Sequence, residues 1–366
     1  MYATYLGGSG VAHGNAIAVD SGRNAYVTGQ TGNEFFTASD WPFCFKKTIT
    51  GSLDAFIAKL DPTGATYLYK TYVGGSGVEE GTGIAVDGSS PPNVYITGWT
   101  NSADFPGASF VTVGQTTLIG NPDAFVFKLR TALTGSTDGV YATYLGGSGD
   151  SRAAAIALDS SDNAYVTGTT YAGDFPRVTP ISNGAVLQGS PEAFVTQIGP
   201  TGGTFGFSTY LGGTTATHGQ GLALDSAKNI YVTGYTNSSA ATFPIVAGSF
   251  QPANGGGLYD AFVARIGAVR AGTACGDEVF FPSPATGATG TFAYTMAFAG
   301  IAKIRVYNVV GDLVARVEDA KPAGPQQRSS LNTARLAPGV YLYRLERNYS
   351  GRASVPSCVK KFVVQH

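Results

Sequence analysis

Four polar side chains occupy one position of a repeated pattern. His13, Glu80, Arg152 and His218 each stand five residues after the second glycine of a Tyr-x-Gly-Gly tetrapeptide, the copies starting at Tyr5, Tyr72, Tyr144 and Tyr210. If the repeats are arranged about an axis, these four ring one mouth of a central channel and would hold a small ligand, an anion or a metal ion. The plainer reading makes them variable polar residues lining a wet loop. A second candidate is the aromatic loop of the first repeat, with Phe35, Phe36, Trp41, Phe43 and Phe45, whose rings would stack on sugars or a protein partner. An aromatic residue followed by proline recurs in all four loops, at Trp41, Phe105, Phe175 and Phe243, which fits a plug packing each loop onto its own sheet.

Neither set has the makeup of a catalytic centre. Hydrolysis needs a nucleophile within reach of a base, or paired carboxylates in a cleft. The chain has three histidines (His13, His218 and His366) and no Gly-x-Ser-x-Gly, His-Glu-x-x-His or Cys-x-x-Cys motif. Its Gly-Gly-Ser-Gly runs follow strands and lead into further strands, so they lack the helix N-terminus that cradles phosphate. The sequence predicts a non-enzyme without cofactor or bound metal.

The elements that must carry these residues are short strands. Repeat starts are 67, 72 and 66 residues apart. Each copy offers four runs rich in β-branched and aromatic residues between Gly, Pro, Asn and Asp. In the first copy they are Tyr2 to Leu6, Asn15 to Asp20, Ala25 to Gly29 and Asp54 to Leu60. The second run alternates bulk with almost nothing: Ile17 and Val19, Ile84 and Val86, Ile156 and Leu158, and Leu222 and Leu224 point one way, while alanine or glycine points the other. Such a sheet suits radial stacking, with the large face of one unit against the small face of the next. We place this run innermost, the Tyr-Val/Ile-Thr-Gly and Asp/Glu-Ala-Phe runs next, and the Thr-Tyr-Leu-Gly-Gly run at the rim. Asp20, Asp87, Asp159 and Asp225 open the turns after the innermost run. One carboxylate per turn makes these hairpin turns rather than calcium sites.

Gly-x-Ala-Ile-Ala-Val-Asp, Asn-x-Tyr-Val-Thr-Gly, Asp-Phe-Pro and Asp-Ala-Phe-x-x-Lys-Leu resemble the bacterial repeat family named for seven-bladed β-propellers, over about residues 1 to 267. The resemblance implies an all-β propeller of four-stranded blades and an extracellular habit, but no reaction. Four repeats are present, and the last lacks its own Thr-Tyr-Leu-Gly-Gly strand while the chain begins with a spare one. The expectation is that residues 2 to 6 become the outer strand of the fourth blade and close a four-bladed ring, bringing His13 and His218 together.

The repeat domain is assigned to residues 1–270 and a smaller β-sandwich to residues 275–366. Strands are expected at Thr291 to Met296, Lys303 to Tyr307, Leu313 to Val317, Gly339 to Leu345 and Val359 to Val364. Phe281-Pro282-Ser283-Pro284, Val306-Tyr307-Asn308-Val309-Val310-Gly311, Leu336-Ala337-Pro338-Gly339-Val340-Tyr341 and Lys360-Lys361-Phe362-Val363-Val364 resemble the C-terminal sorting domain of type IX secretion cargo. That resemblance implies an immunoglobulin-like sandwich and passage across the outer membrane of a Bacteroidota-like bacterium. Cys275 and Cys358 flank this region and suit a disulfide between its first and last strands, leaving Cys44 unpaired.

Net charge is −1 and charged residues make up only 13% of the chain, about half the ~25% usual for soluble domains. No basic footprint for nucleic acid is present, and no run of eighteen apolar residues spans a membrane. A surface so poor in charge repels its own copies weakly. The start Met1-Tyr2-Ala3-Thr4 lacks signal-peptide character, so the numbering is expected to begin inside a longer precursor or after processing. The expected function is that of a secreted or cell-surface structural or adhesive protein that self-associates, propeller to sandwich. The alternatives are a glycan-binding module or a polysaccharide-active enzyme.

Overall fold

The computed structural model describes residues 1–32, 34, 41, 43–106, 113–181, 183–245, 249–267, 279–281, 288–296, 299–310, 312–349, 355–356 and 360–365. By its internal contacts the chain divides into units of residues 1–269 and 270–366.

The first unit contains four antiparallel sheets, one per repeat. Blade 1 runs from β1 (Ala12–Val19) through β2 (Ala25–Thr31) and β3 (Asp54–Leu60) to β4 (Tyr67–Val73). Blade 2 comprises β5 (Glu79–Val86), β6 (Asn93–Thr100), β7 (Asp123–Arg130) and β8 (Gly139–Leu145). Blade 3 comprises β9 (Ser151–Leu158), β10 (Ala164–Thr170), β11 (Glu192–Ile198) and β12 (Phe205–Leu211). Among the described residues blade 4 has three strands, β13 (Thr217–Leu224), β14 (Ile230–Thr236) and β15 (Asp260–Ile266). The order from the innermost run to the Thr-Tyr-Leu-Gly-Gly rim is the one the sequence implies.

Blades stack through their inner strands, β1 on β5, β5 on β9 and β9 on β13. The large face of each blade fills the small face of the one before it. Ala16 and Ala18 share a core with Ile84 and Val86, and Ala85 shares one with Ile156 and Leu158. The third strands β3, β7 and β11 are buried nearly end to end, whereas β15 of blade 4 is not.

The aspartate turns are built alike. Asp20 accepts the backbone and side-chain N–H groups of Asn24, at 2.9 and 2.7 Å, and Asp159 and Asp225 do the same with Asn163 and Asn229. The residue before each of these asparagines, Arg23, Asp162 and Lys228, lies at a φ of 60–64°, a left-handed conformation that the Asp and Asn bonds hold in place.

The expected closure by the N-terminal strand is not formed. Residues 1–8 carry no strand, β15 has only β14 beside it, and β13 makes no packed interface with β1 among the described residues. The two end faces are correspondingly bare: Ile17 and Val19 are 66% and 59% exposed, against 8% for Ile84 and Ile156. The physical reason is angular. Each blade turns by the amount that seats large side chains on small ones, and four such steps do not bring blade 4 back to blade 1.

The second unit contains β16 (Val279–Phe281), β17 (Thr289–Met296), β18 (Gly300–Tyr307), β19 (Leu313–Lys321), β20 (Gly324–Asn332), β21 (Gly339–Tyr349), β22 (Val355–Pro356) and β23 (Lys360–Val364). They form one sheet in the order β16-β17-β20 and another in the order β19-β18-β21, with β22 and β23 both paired to β21. The sheets share one core that includes Phe292, Ile304, Tyr343 and Phe362. β20 escapes sequence reading because its run is polar and among its last residues only Ser329 and Leu331 turn inward. Cys275 and Cys358 lie outside the described residues. Cys44 is buried, its thiol donating to the Lys46 carbonyl at 3.4 Å.

Candidate functional site

Each candidate ring residue sits on an inner strand directly across from the residue that follows a motif glycine. The cross-strand pairs are His13 with Gln30, Glu80 with Trp99, Arg152 with Thr169, and His218 with Tyr235. The inner strand bulges here, and its carbonyl presses onto the glycine. A β-carbon on Gly29, Gly98, Gly168 or Gly234 would collide with the carbonyl of His13, Glu80, Arg152 or His218 respectively. The motif glycine is thus required by close backbone approach, and that approach fixes where each ring residue projects.

Side chains then link the blades. Asn15 of blade 1 donates to Glu80 Oε1 at 2.9 Å, and Trp99 Nε1 donates to Glu80 Oε2 at 3.0 Å. The Arg152 guanidinium of blade 3 lies 4.3 Å from the Trp99 ring centroid, a cation–π contact worth about 0.5–1 kcal/mol at an exposed site. In blade 4, His218 Nδ1 is 3.3 Å from Thr169 Oγ1, and its ring stacks on Tyr235 at 4.5 Å. Burial pushes the His218 imidazole below its ordinary pKa.

A depression of about 590 Å³ opens among these side chains, lined by Trp99, Asp150, Arg152, Tyr171, His218 and Gln220 among others. Of the four expected ring residues, it brings together Arg152 and His218, with Glu80 bonded behind Trp99. His13 stays apart, bonded to Gln30 Nε2 at 3.2 Å. With no closure, the expected contact between His13 and His218 is absent.

Trp41 is half-buried against the blade 1–blade 2 core, with Lys70 Nζ 5.4 Å from its ring centroid. Phe105, Phe175 and Phe243 are buried in the equivalent loops, so the aromatic-Pro step is the plug. Phe35, Phe36 and Pro42 lie outside the described residues.

Sequence reading missed Trp99, Asp150 and Tyr171. The signal that finds them is the comparison of the repeats with one another. Asp150 stands where the other copies have Val11, Val78 and Ala216, and Tyr171 where they have Gly32, Asn101 and Asn237. Residues that the blade needs for folding recur, whereas these do not.

The beta-propeller repeat family matches residues 2–36, 68–106, 140–176 and 194–239, and the secretion system C-terminal sorting domain matches residues 279–365. No curated protein matches the chain. Among solved structures it is similar to PorZ, described as an essential bacterial surface component of the type-IX secretion system of Porphyromonas gingivalis, at 14% identity and a TM-score of 0.29, covering 100% of this chain and 47% of that one. It is also similar to dimeric latent PorU from Porphyromonas gingivalis, at 10% identity and a TM-score of 0.22, covering 96% of this chain and 32% of that one. The chain therefore spans about half and about a third of the two.

Proposed function

Because the chain belongs to the β-propeller repeat proteins and carries a type IX secretion sorting domain, we propose that it is a non-enzymatic adhesive module that holds a carbohydrate in the depression between Trp99, Arg152 and Tyr171. The sorting domain makes the protein extracellular or surface-bound. The carbohydrate reading rests on the concentration of repeat-breaking residues in one hollow: Asp150, Arg152 and Tyr171 depart from the other three copies together and line one depression.

The chemistry of the lining favours a polyhydroxylated ligand. Trp99 and the half-exposed Tyr171 offer ring faces, and Asp150, Gln220 and the guanidinium offer planar hydrogen-bonding groups. One cation, Arg152, opposes one carboxylate, Asp150, which suits a neutral or weakly acidic sugar better than a multiply charged ligand. Among the described lining residues Asp150 is the sole carboxylate, so a two-carboxylate hydrolysis has no second partner.

The test is a glycan array probed with the full chain, followed by calorimetry on retained sugars. Retention that weakens tenfold or more in Trp99→Ala and Arg152→Ala, with unchanged circular dichroism and no release of reducing ends, supports the reading. An array with no retained glycan, or binding indifferent to both substitutions, overturns it.

A further inference from the structure

The two units differ in charge. Residues 270–366 hold twelve Lys and Arg against six Asp and Glu, whereas residues 1–269 hold eleven against eighteen. Strand register lays out part of the basic excess. Arg305 of β18 stands directly across from Arg316 of β19 on one side and from Arg344 of β21 on the other. Their neighbours Ile304, Val306, Tyr343 and Leu345 are buried in the sandwich core, so strand alternation puts all three arginines on the outer face, in one row across the sheet. The row behind is balanced, with Lys303 between Glu318 and Glu346 and paired to Glu318 at 3.0 Å. The arginine row is not balanced. Arg305 takes Glu346 at 3.1 Å, and Arg316 and Arg344 have no carboxylate partner among the described residues. Like charges set directly opposite destabilise a ladder, and an anion laid across the row removes that repulsion.

Ahead of the arginines the same hairpin turns apolar. Two residues further along β18, about 7 Å at strand rise, Tyr307 stands between Leu313 and Leu342. Beyond it the β18–β19 turn exposes Val309 and Val310, at 69% and 83%, with Leu313 and Val314 exposed beside them. The turn is held from within. Asn308 Oδ1 accepts the N–H groups of Val310 and Asp312 at 3.1 and 2.9 Å, and Asn308 Nδ2 donates to Asp312 Oδ2 at 2.9 Å. Single exposed apolar side chains are ordinary on a surface, whereas four gathered at one hairpin end make a patch.

We propose that this end of the sandwich docks on an anionic membrane surface, with Val309 and Val310 entering the acyl boundary and the row of Arg305, Arg316 and Arg344 meeting lipid phosphates. The order of side chains along the hairpin is the order of layers in a bilayer leaflet. Apolar groups of a peripheral protein sink below the headgroups, tyrosine favours the interface, and the guanidinium fork matches phosphate oxygens. The long arginine stems let the charged heads reach that layer while the sheet stays above it. Charge complementarity and the apolar turn select this occupant together. A soluble polyanion would engage the arginines and leave the valines in water, whereas an anionic bilayer engages both. The carboxylate of the turn, Asp312, is already bonded by Asn308. The sorting domain brings the protein outside the cell or onto its surface, where a lipid face is within reach.

Flotation of the full chain with vesicles tests this, using phosphatidylcholine alone or mixed with phosphatidylglycerol. The chain should float with the mixed vesicles and not with the neutral ones, and added salt should release it. Val309→Ser combined with Val310→Ser should abolish flotation. Arg316→Gln and Arg344→Gln should each lower partitioning about fivefold, while Lys303→Gln, in the balanced row, should leave it nearly unchanged. Val310→Trp provides a second readout that needs no loss of binding: relative to the parent, its emission should shift to the blue on mixed vesicles. Flotation with neither vesicle or equally with both overturns the proposal. So do a loss in Lys303→Gln as large as in the arginine variants, an unshifted emission from the Val310→Trp chain, and retention on heparin without vesicle binding.

Discussion

The Arg152 carbonyl occupies the place where a β-carbon on Gly168 would stand. The glycine of the repeated Thr-Gly step and the polar residue at the blade mouth are therefore one device, the first making room for the backbone of the second. Gly168→Ala should push β9 off β10 and cost about 1–3 kcal/mol, as overpacking of a close contact does. Denaturant melts of the repeat region check this. The same substitution at Gly173, where nothing lies within reach of an added carbon, should cost far less.

Arg152→Lys keeps the charge and loses the flat guanidinium that stacks on Trp99 at 4.3 Å. If the depression binds sugar, the lysine variant should bind nearly as weakly as Arg152→Ala, with a loss of about tenfold, or ~1.4 kcal/mol. Calorimetry with a retained glycan reads this, and affinity fully kept by lysine would show that charge alone matters.

Glu192 is buried at the blade 3 rim. Its Oε2 accepts the Gln188 N–H at 2.9 Å, and its Oε1 has no hydrogen-bond partner. Burial pushes its carboxyl up from 4.5 to about 7, against the pull of backbone N–H groups from Gln188 and Gly189. The folded state thus holds the proton more tightly than the unfolded one. The associated stability is complete below about pH 4.5 and is lost as pH rises through 7. Glu192→Gln should match the parent near pH 4 and exceed it at pH 8 by on the order of 2 kcal/mol. Paired thermal melts at the two pH values test the sign.

Asp159 behaves in the opposite sense. Burial alone would raise its carboxyl, but the Lys228 ammonium at 2.8 Å, the Asn163 side chain and backbone N–H groups outweigh burial and hold it at about 2. Its contribution is present above pH 4 and is lost as pH falls through 2. Because Lys228 belongs to blade 4, Asp159→Asn should loosen both its own turn and the blade 3–blade 4 joint, costing about 2 kcal/mol at pH 7 and little by pH 2. Denaturation of parent and variant across that range measures the narrowing gap.

Much of the architecture is legible in the chain because it is written four times. Period-2 alternation of Ile and Val with Ala and Gly names the inner strand and its packing rule. The repeated Asp-to-Asn spacing names the turn, and the order of motifs names the order of strands. These are local properties, set by side-chain volume and backbone geometry within one unit. The end of the stack is a different kind of property. Whether four blades close depends on the small rotation between neighbours, summed over all of them, and no single residue carries that sum. Trp41 and Phe43 look alike in sequence, yet one is half-buried and the other is exposed. Trp99, Asp150 and Tyr171 come from separate strands and loops and meet only where blade 2 turns toward blade 3. A repeat determines each blade from its own side chains; the hollow beside Arg152 is decided only by how far each blade is turned against the next.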